Sequence, residues 1–166
     1  MNASKSRKVA FMGLLFALAI VLSYLESLVP TVLPVPGIKL GLSNIVTMYC
    51  LFFLNAPAAI LLALLKAAFV LITRGGVAAL LSASGGLCSV GVMLLAKKLR
   101  ASGGLTSVIG AVTHNLAQLV TEYLFFKTAV LFYYLPVLVI SGVIMGVITA
   151  MILKAVLPLI KSFNET

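Results

Sequence analysis

The chain contains no aspartate and no tryptophan, and acidic residues of any kind are scarce. Its acidic side chains are Glu26, Glu122 and Glu165, against twelve lysines and arginines. Only 9% of the 166 residues are charged and 63% are hydrophobic, and the mean hydropathy is +1.25. A soluble domain of this size would not tolerate so apolar a surface, so that class is excluded. The composition predicts an integral membrane protein.

The excess of positive charge does not indicate a nucleic-acid-binding protein, and the cysteines do not indicate a metal or redox protein. The basic residues stand singly or in short groups at the ends of apolar segments, so they form no single face for a nucleic acid. Cys50 and Cys88 lie within apolar segments and belong to no CxxC motif or paired Cys/His spacing. We interpret them as buried small side chains and expect no metal site and no cofactor.

Apolar runs near the length that crosses a hydrocarbon core, roughly 20 residues, recur about six times. They cover approximately residues 9–29, 40–54, 56–72, 77–96, 105–126 and 136–157. The second and third runs are short, and only Asn55, Ala56 and Pro57 separate them, which predicts a tight hairpin. Backbone polar groups in lipid must be paired within each span, and no alternating polar pattern is present. The predicted fold is an all-α membrane bundle in one domain, 1–166.

Clusters of lysine and arginine predict the orientation, because cytoplasmic loops are enriched in these residues. The clusters precede the first span, follow the fourth and close the sixth. Their members are Lys5, Arg7 and Lys8, then Lys97, Lys98 and Arg100, then Lys154 and Lys161. With six spans, all three clusters fall on one side, so both termini are expected in the cytoplasm and the chain in the cell membrane. The first cluster and span resemble a signal peptide, but the apolar run is too long, which favours an uncleaved span.

A stripe of polar residues runs along the fifth predicted span. Its members are His114, Asn115, Gln118 and Glu122. Residues three and four apart share one face of a helix, so all four are expected to project from one side. Such residues are costly in lipid and should face other helices or a wet cavity, which makes them a candidate substrate site. The alternative is that they only hydrogen-bond neighbouring helices.

Further polar residues are expected at the outer half of the bundle. They are Glu26 near the end of the first span, Lys39 and Asn44 at the start of the second, and Lys66 and Arg74 on the third. With the stripe they predict a substrate cavity open to the outside. Lys39 and Arg74 have an alternative role, which is to reach the lipid headgroups. Lys66 is too deep for that, and Glu122 is its expected partner, either as a static pair or as one that opens to hold a ligand.

Two other segments have alternative interpretations. Prolines at 30, 34 and 36 make the apolar loop 30–37 stiff, so it is either a lid over the pocket or a plain packed loop. Ala10, Gly13 and Ala17 put small residues on one face of the first span, for internal packing or for docking a partner helix. The glycine pairs at 75–76, 85–86 and 103–104 allow tight turns or close helix contacts.

Three stretches, taken together, resemble the Gx transporter family. They are Pro36-Gly-Ile-Lys-Leu-Gly-Leu-Ser-Asn44, Ser84-Gly-Gly-Leu-Cys-Ser-Val-Gly-Val-Met93 and Gly110-Ala-Val-Thr-His-Asn-Leu-Ala-Gln118. That family was formerly labelled heptaprenyl diphosphate synthase component I and is similar to the substrate-binding S components of energy-coupling factor (ECF) transporters. The resemblance spans nearly the whole chain. It implies six helices with cytoplasmic ends, an outer loop over a pocket, and a small-residue face that docks a transmembrane coupling subunit. Gly13 stands where S components commonly have alanine.

The chemistry of the chain disagrees with the older synthase label. Polyprenyl diphosphate synthesis uses carboxylates, usually aspartates, to hold magnesium, and this sequence has no aspartate. It also lacks the phosphate-binding motif GxxxxGK[ST], so ATPase partner subunits would supply the energy. We therefore expect no enzyme but an S component of an ECF-type importer, which binds a small and preferably anionic molecule. The alternative is a non-transport membrane subunit that scaffolds a quinone-, prenyl- or flavin-linked electron-transfer assembly.

Overall fold

The computed structural model describes the backbone of residues 3–28 and 42–164, and the side chains of 6–25 and 42–155. The predicted loop 30–37 and Lys39 lie outside the described residues. The side chains of Lys5, Glu26, Lys161 and Glu165 also lie outside them.

Six α-helices account for almost all of the described chain. They are α1 (Ala3–Leu28), α2 (Asn44–Tyr49), α3 (Ala56–Arg74), α4 (Gly76–Lys98), α5 (Gly103–Phe126) and α6 (Leu135–Asn164). A π-helical turn, Cys50–Leu54, continues α2, and a 3-10 turn, Ala129–Tyr134, leads into α6. No strand occurs within 3–28 or 42–164. The predicted all-α membrane bundle is confirmed.

Four of the helical segments are long and apolar enough to cross a membrane, which supports a membrane protein. They are Ser6–Leu25, Ala56–Arg74, Gly76–Lys98 and Ala129–Ala155. The fifth helix is 24 residues long, but its polar stripe lowers its hydropathy, and it packs between α4 and α6. Helix α2 has six residues and is followed by the five residues of the π-helical turn, so this segment is too short to span a bilayer alone.

The local sequence explains how the helices begin and end. At the predicted hairpin, Asn55 caps α3, because its side-chain oxygen accepts a hydrogen bond of 2.8 Å from the Ala58 amide. Between α3 and α4 the chain turns at Gly75, whose φ of +86° is a conformation that a side chain would disfavour. Ser102 caps α5 in the same way as Asn55 caps α3.

Consecutive helices α3 to α6 pack side by side, and α2 lies against α3, α4 and α6. The close contacts depend on glycine, as predicted for the pair at 85–86. Gly86 faces Ala63 of α3, and Gly142 faces the backbone of Val112, where an added Cβ would lie 3.0 Å from Cα. One turn further along α6, the carbonyl of Gly146 accepts a 2.7 Å hydrogen bond from Ser107. These contacts bring α4 close to α3 and α6 close to α5.

The first helix is the least enclosed. It packs mainly against α2 and α3, through Leu15 and Ala19, which are both buried. The three small residues of the predicted docking face, Ala10, Gly13 and Ala17, are all exposed. This face therefore does not pack within the described part of the chain. The buried position predicted for the cysteines is confirmed for Cys50 and wrong for Cys88, which lies on an exposed face of α4.

Candidate functional site

A small polar pocket of about 30 Å³ lies where α1, α3 and α5 meet the start of α2. Lys66 reaches it from α3, and His114 and Gln118 reach it from α5. On the opposite side the pocket is bounded by Ala19, Ile20 and Ser23 of α1. With Arg74, which also lines the pocket, the structure thus brings together four of the residues that the sequence predicted for a substrate cavity.

The position of Lys66 is determined by the start of α2. Its Nζ donates a 2.7 Å hydrogen bond to Ser43 Oγ and lies 3.5 Å from Asn44 Oδ1. Ser43 is buried, and Lys66 and Asn44 are half-buried. These two contacts orient the ammonium group towards the start of α2. An ammonium group at the base of a pocket can bind an anion.

His114 and Gln118 lie on successive turns of α5, on the side that faces α4. Both are buried, and both approach Gly85, whose missing side chain leaves the necessary room. The Gln118 amide donates a 3.3 Å hydrogen bond to the carbonyl of Leu81. The two polar side chains are therefore held on a rigid element, as a selective binding site requires.

A wide cleft of about 590 Å³ continues the pocket between α1 and α3. The cleft and the pocket share Ile20, Ser23, Phe69, Val70 and Arg74, so the two form one cavity with a broad mouth and a narrow polar base. The volume lies within the range of roughly 300–1,000 Å³ that small-molecule sites have. We call this combined space the outer cavity. Among the described residues, no group of histidine, cysteine or acidic residues could hold a metal ion.

Comparison with known proteins identifies the family. A family model described as heptaprenyl diphosphate synthase component I matches residues 15–156. The chain belongs to this family. The matched range contains every described residue of the outer cavity, so the cavity lies within the part of the chain that defines membership. No curated protein and no solved structure matches the chain significantly.

One residue of the polar stripe, Asn115, lies outside the outer cavity. Asn115 points towards α6, where its Nδ2 donates a 3.0 Å hydrogen bond to the carbonyl of Leu138 and lies 3.4 Å from Ser141 Oγ. Consecutive residues on a helix point about 100° apart, so Asn115 cannot follow its neighbour His114 into the outer cavity. The expectation that the whole stripe shares one cavity is therefore corrected for Asn115.

The remaining predicted residues lie in different places. Arg74 is exposed and lines the mouth of the outer cavity, as predicted from its place at the end of the third span. Asn44 lies beside Lys66 but lines a second cavity, between α2, α4, α5 and α6. Glu122 is half-buried, one turn beyond Gln118, and its pairing with Lys66 stays a prediction. Of Glu26 the structure describes only the backbone, in α1.

Sequence reasoning missed several residues that shape the site. Ser43 holds Lys66 but is an ordinary helix-start serine in the sequence, and Ser82 lines the pocket from α4 without any motif. A signal for one contact was present, because Gly142 and Gly146 form a GxxxG pattern in an apolar segment. That pattern predicts the close approach of α5 and α6 that the structure shows.

Proposed function

We propose that this chain is the substrate-binding membrane subunit of an ECF-type importer and that the outer cavity captures the substrate. The observation that carries the proposal is the convergence of Lys66, His114 and Gln118 at the base of a wide cleft. They come from two helices of a membrane bundle, where polar side chains are expensive. A bundle that only scaffolded other subunits would have no need of a cleft ending in a cation and two hydrogen-bonding side chains.

The lining of the outer cavity favours an amphipathic anion as the substrate. Lys66 at the base and Arg74 at the mouth both attract a carboxylate or phosphate, because charge-assisted hydrogen bonds are about twice as strong as neutral ones. Between them the walls are largely apolar, with Ile20, Phe69 and Val70. A small molecule with an acidic group and a hydrophobic part would match both surfaces.

The proposal also requires partners. The sequence has no phosphate-binding motif for ATP, so ATPase subunits would act through a transmembrane coupling subunit in the cell membrane. The exposed face of Ala10, Gly13 and Ala17 supports this arrangement, because an added Cβ at Gly13 would meet no atom within 4 Å. A partner helix could therefore approach α1 closely. In this role the chain is not itself an enzyme.

Co-expression with the coupling and ATPase subunits of an ECF module tests this function. We expect an affinity-tagged chain to retain those subunits through purification and to release a small molecule on denaturation. Stable co-purification with redox subunits, together with the absence of a bound small molecule, would favour the scaffolding alternative and contradict the proposal.

A further inference from the structure

A wide cleft of about 500 Å³ lies at the opposite end of the bundle from Arg74 and the outer cavity. Residues within 48–53, 103–108 and 147–154 form it, so it runs between the π-helical turn, the start of α5 and the second half of α6. Helix α4, which connects the two ends of the bundle, has 23 residues and is roughly 35 Å long. The predicted orientation places this end at the cytoplasmic face. We call this space the inner cleft.

The walls of the inner cleft are apolar and continue into the outer surface of the bundle. Phe52 and Phe53 form one side, and Val147 and Met151 form the other. Val147 is 45% exposed and Met151 is 66% exposed. In a membrane protein, exposed apolar side chains of this kind contact lipid. A cleft that opens beside them therefore favours a hydrocarbon chain as its occupant.

The lining contains one charged side chain, Lys154 of α6. Its depth follows from the register of the neighbouring helices, in which Val108 of α5 lies against Gly146 of α6. Because α5 and α6 run antiparallel, one further turn places Gly104 opposite Ala150, and both line the cleft. Lys154 comes another turn along α6, beyond the first residue of α5. The ammonium group therefore lies at the mouth of the cleft, where the headgroup layer is expected.

A second cation lies beside the aromatic wall. Lys97 donates a 2.9 Å hydrogen bond from Nζ to the carbonyl of Leu51, and its Nζ lies 5.2 Å from the centroid of the Phe52 ring. An ammonium group has three protons, so this bond does not use all of them. Within the described side chains, 6–25 and 42–155, the one acidic residue is Glu122, near the other end of α5. The charge around the inner cleft is therefore positive and complements an anionic group.

We propose that the inner cleft binds one anionic phospholipid, with an acyl chain between the aromatic wall and α6 and with the phosphate attracted by Lys154 and Lys97. Basic pockets between membrane helices on the cytoplasmic side suit anionic headgroups. An acidic helix of a partner subunit would match the charge as well. However, lipid contacts the exposed Val147 and Met151 in the isolated chain, so it needs no partner to reach the cleft. The site is separate from the outer cavity and does not depend on the proposed import function.

Native mass spectrometry of the purified full chain in detergent tests this site. The probes are phosphatidylglycerol and phosphatidylcholine with identical acyl chains, so they differ only in the headgroup. We expect one phosphatidylglycerol to bind with an affinity about tenfold or more above that of phosphatidylcholine. Glycerol phosphate, which has the anionic group without the chains, should not displace it. Equal affinities would show ordinary boundary lipid, and displacement by glycerol phosphate would show a simple anion site, so either result would overturn the proposal.

Two variants separate the charge from the cleft. Lys154→Gln should weaken phosphatidylglycerol binding about fivefold, whereas Lys8→Gln, the same change at an exposed position of α1, should leave it unaltered. Ala150→Phe keeps every charge but fills the cleft, and it should remove the preference for phosphatidylglycerol. Normal binding by Lys154→Gln or by Ala150→Phe would overturn the site, because the charge or the cleft would then have no role. No retention of either lipid by the unmodified chain would also overturn it and favour an acidic partner helix.

Discussion

His114 of α5 lies directly against Gly85 of α4, such that a Cβ added to the glycine would come within 2.9 Å of the imidazole Cε1. The same Cβ would lie 2.9 Å from Cγ of Gln118. Both distances are shorter than van der Waals contact, so any other residue at 85 would displace the two side chains. The position of the polar base of the outer cavity therefore depends on the absence of a single methyl group from the neighbouring helix.

We predict that Gly85→Ala weakens both folding and ligand binding. The added methyl must push His114 or Gln118 aside, and overpacking of this kind typically costs about 1–3 kcal/mol. Thermal unfolding in detergent measures the effect on stability. Gly91→Ala is the matched control, because Gly91 lies on an exposed face of the same helix with no atom within 4 Å of an added Cβ. Equal stability of the two variants would show that the contact at Gly85 is unimportant.

A second prediction concerns the charge of Lys66. If Glu122 compensates it, removing the lysine alone leaves an uncompensated carboxylate, whereas replacing both residues with apolar ones does not. Lys66→Met should therefore destabilise the protein more than Lys66→Met combined with Glu122→Leu, by less than the roughly 3–5 kcal/mol of a fully buried pair. Both should lose ligand binding. Additive effects of the two substitutions in a thermal unfolding cycle would exclude the pair.

The helices themselves were predictable because membrane spans depend on local properties. Length and hydropathy along the chain predict α1, α3, α4 and α6, and the hairpin at Asn55 follows from a capping residue beside a proline. The shortness of α2 could not be predicted in the same way. Its apolar run continues towards residue 40, but the described helix begins at Asn44 and ends in a π-helical turn.

The site was only partly predictable, because its geometry depends on contacts between distant parts of the chain. Helical spacing correctly places His114 and Gln118 on one face, yet it cannot show that Asn115 would bond to the backbone of Leu138 on α6. Likewise, the hydrogen bond from Lys66 to Ser43 joins residues 23 positions apart. Sequence spacing carries no information about such pairs, whereas the small residues that permit close packing do leave a pattern.

The third prediction concerns the docking face of α1. Gly13→Leu combined with Ala17→Leu should abolish uptake in the presence of the energising subunits, because the bulkier side chains would block a partner helix. Ligand affinity and thermal stability of the isolated protein should stay nearly unchanged, since both positions are exposed. Gly91→Leu, an equally open position on α4, should leave uptake intact. A parallel loss of affinity or stability in the double variant would indicate that the face packs internally.

The fourth prediction concerns topology. A single cysteine at position 98 should react with a membrane-impermeant thiol reagent only from the cytoplasmic side, and one at position 74 only from the outside. Both positions are exposed. Position 74 lies at the end of α3 beside the start of α4, and position 98 lies at the far end of α4. The native exposed Cys88 must first be replaced by alanine to remove background labelling. Labelling of both positions from the same side would contradict the predicted orientation.

Extraction of the purified protein followed by mass spectrometry tests most directly whether the outer cavity binds a small molecule. The unmodified chain and the Gly91→Ala control should release the same compound in comparable amounts. Lys66→Met, which removes the cation at the base of the cavity, should release little or none of it. An equal amount of compound from Lys66→Met, or none from the unmodified chain, would contradict the assignment of the outer cavity as the substrate site.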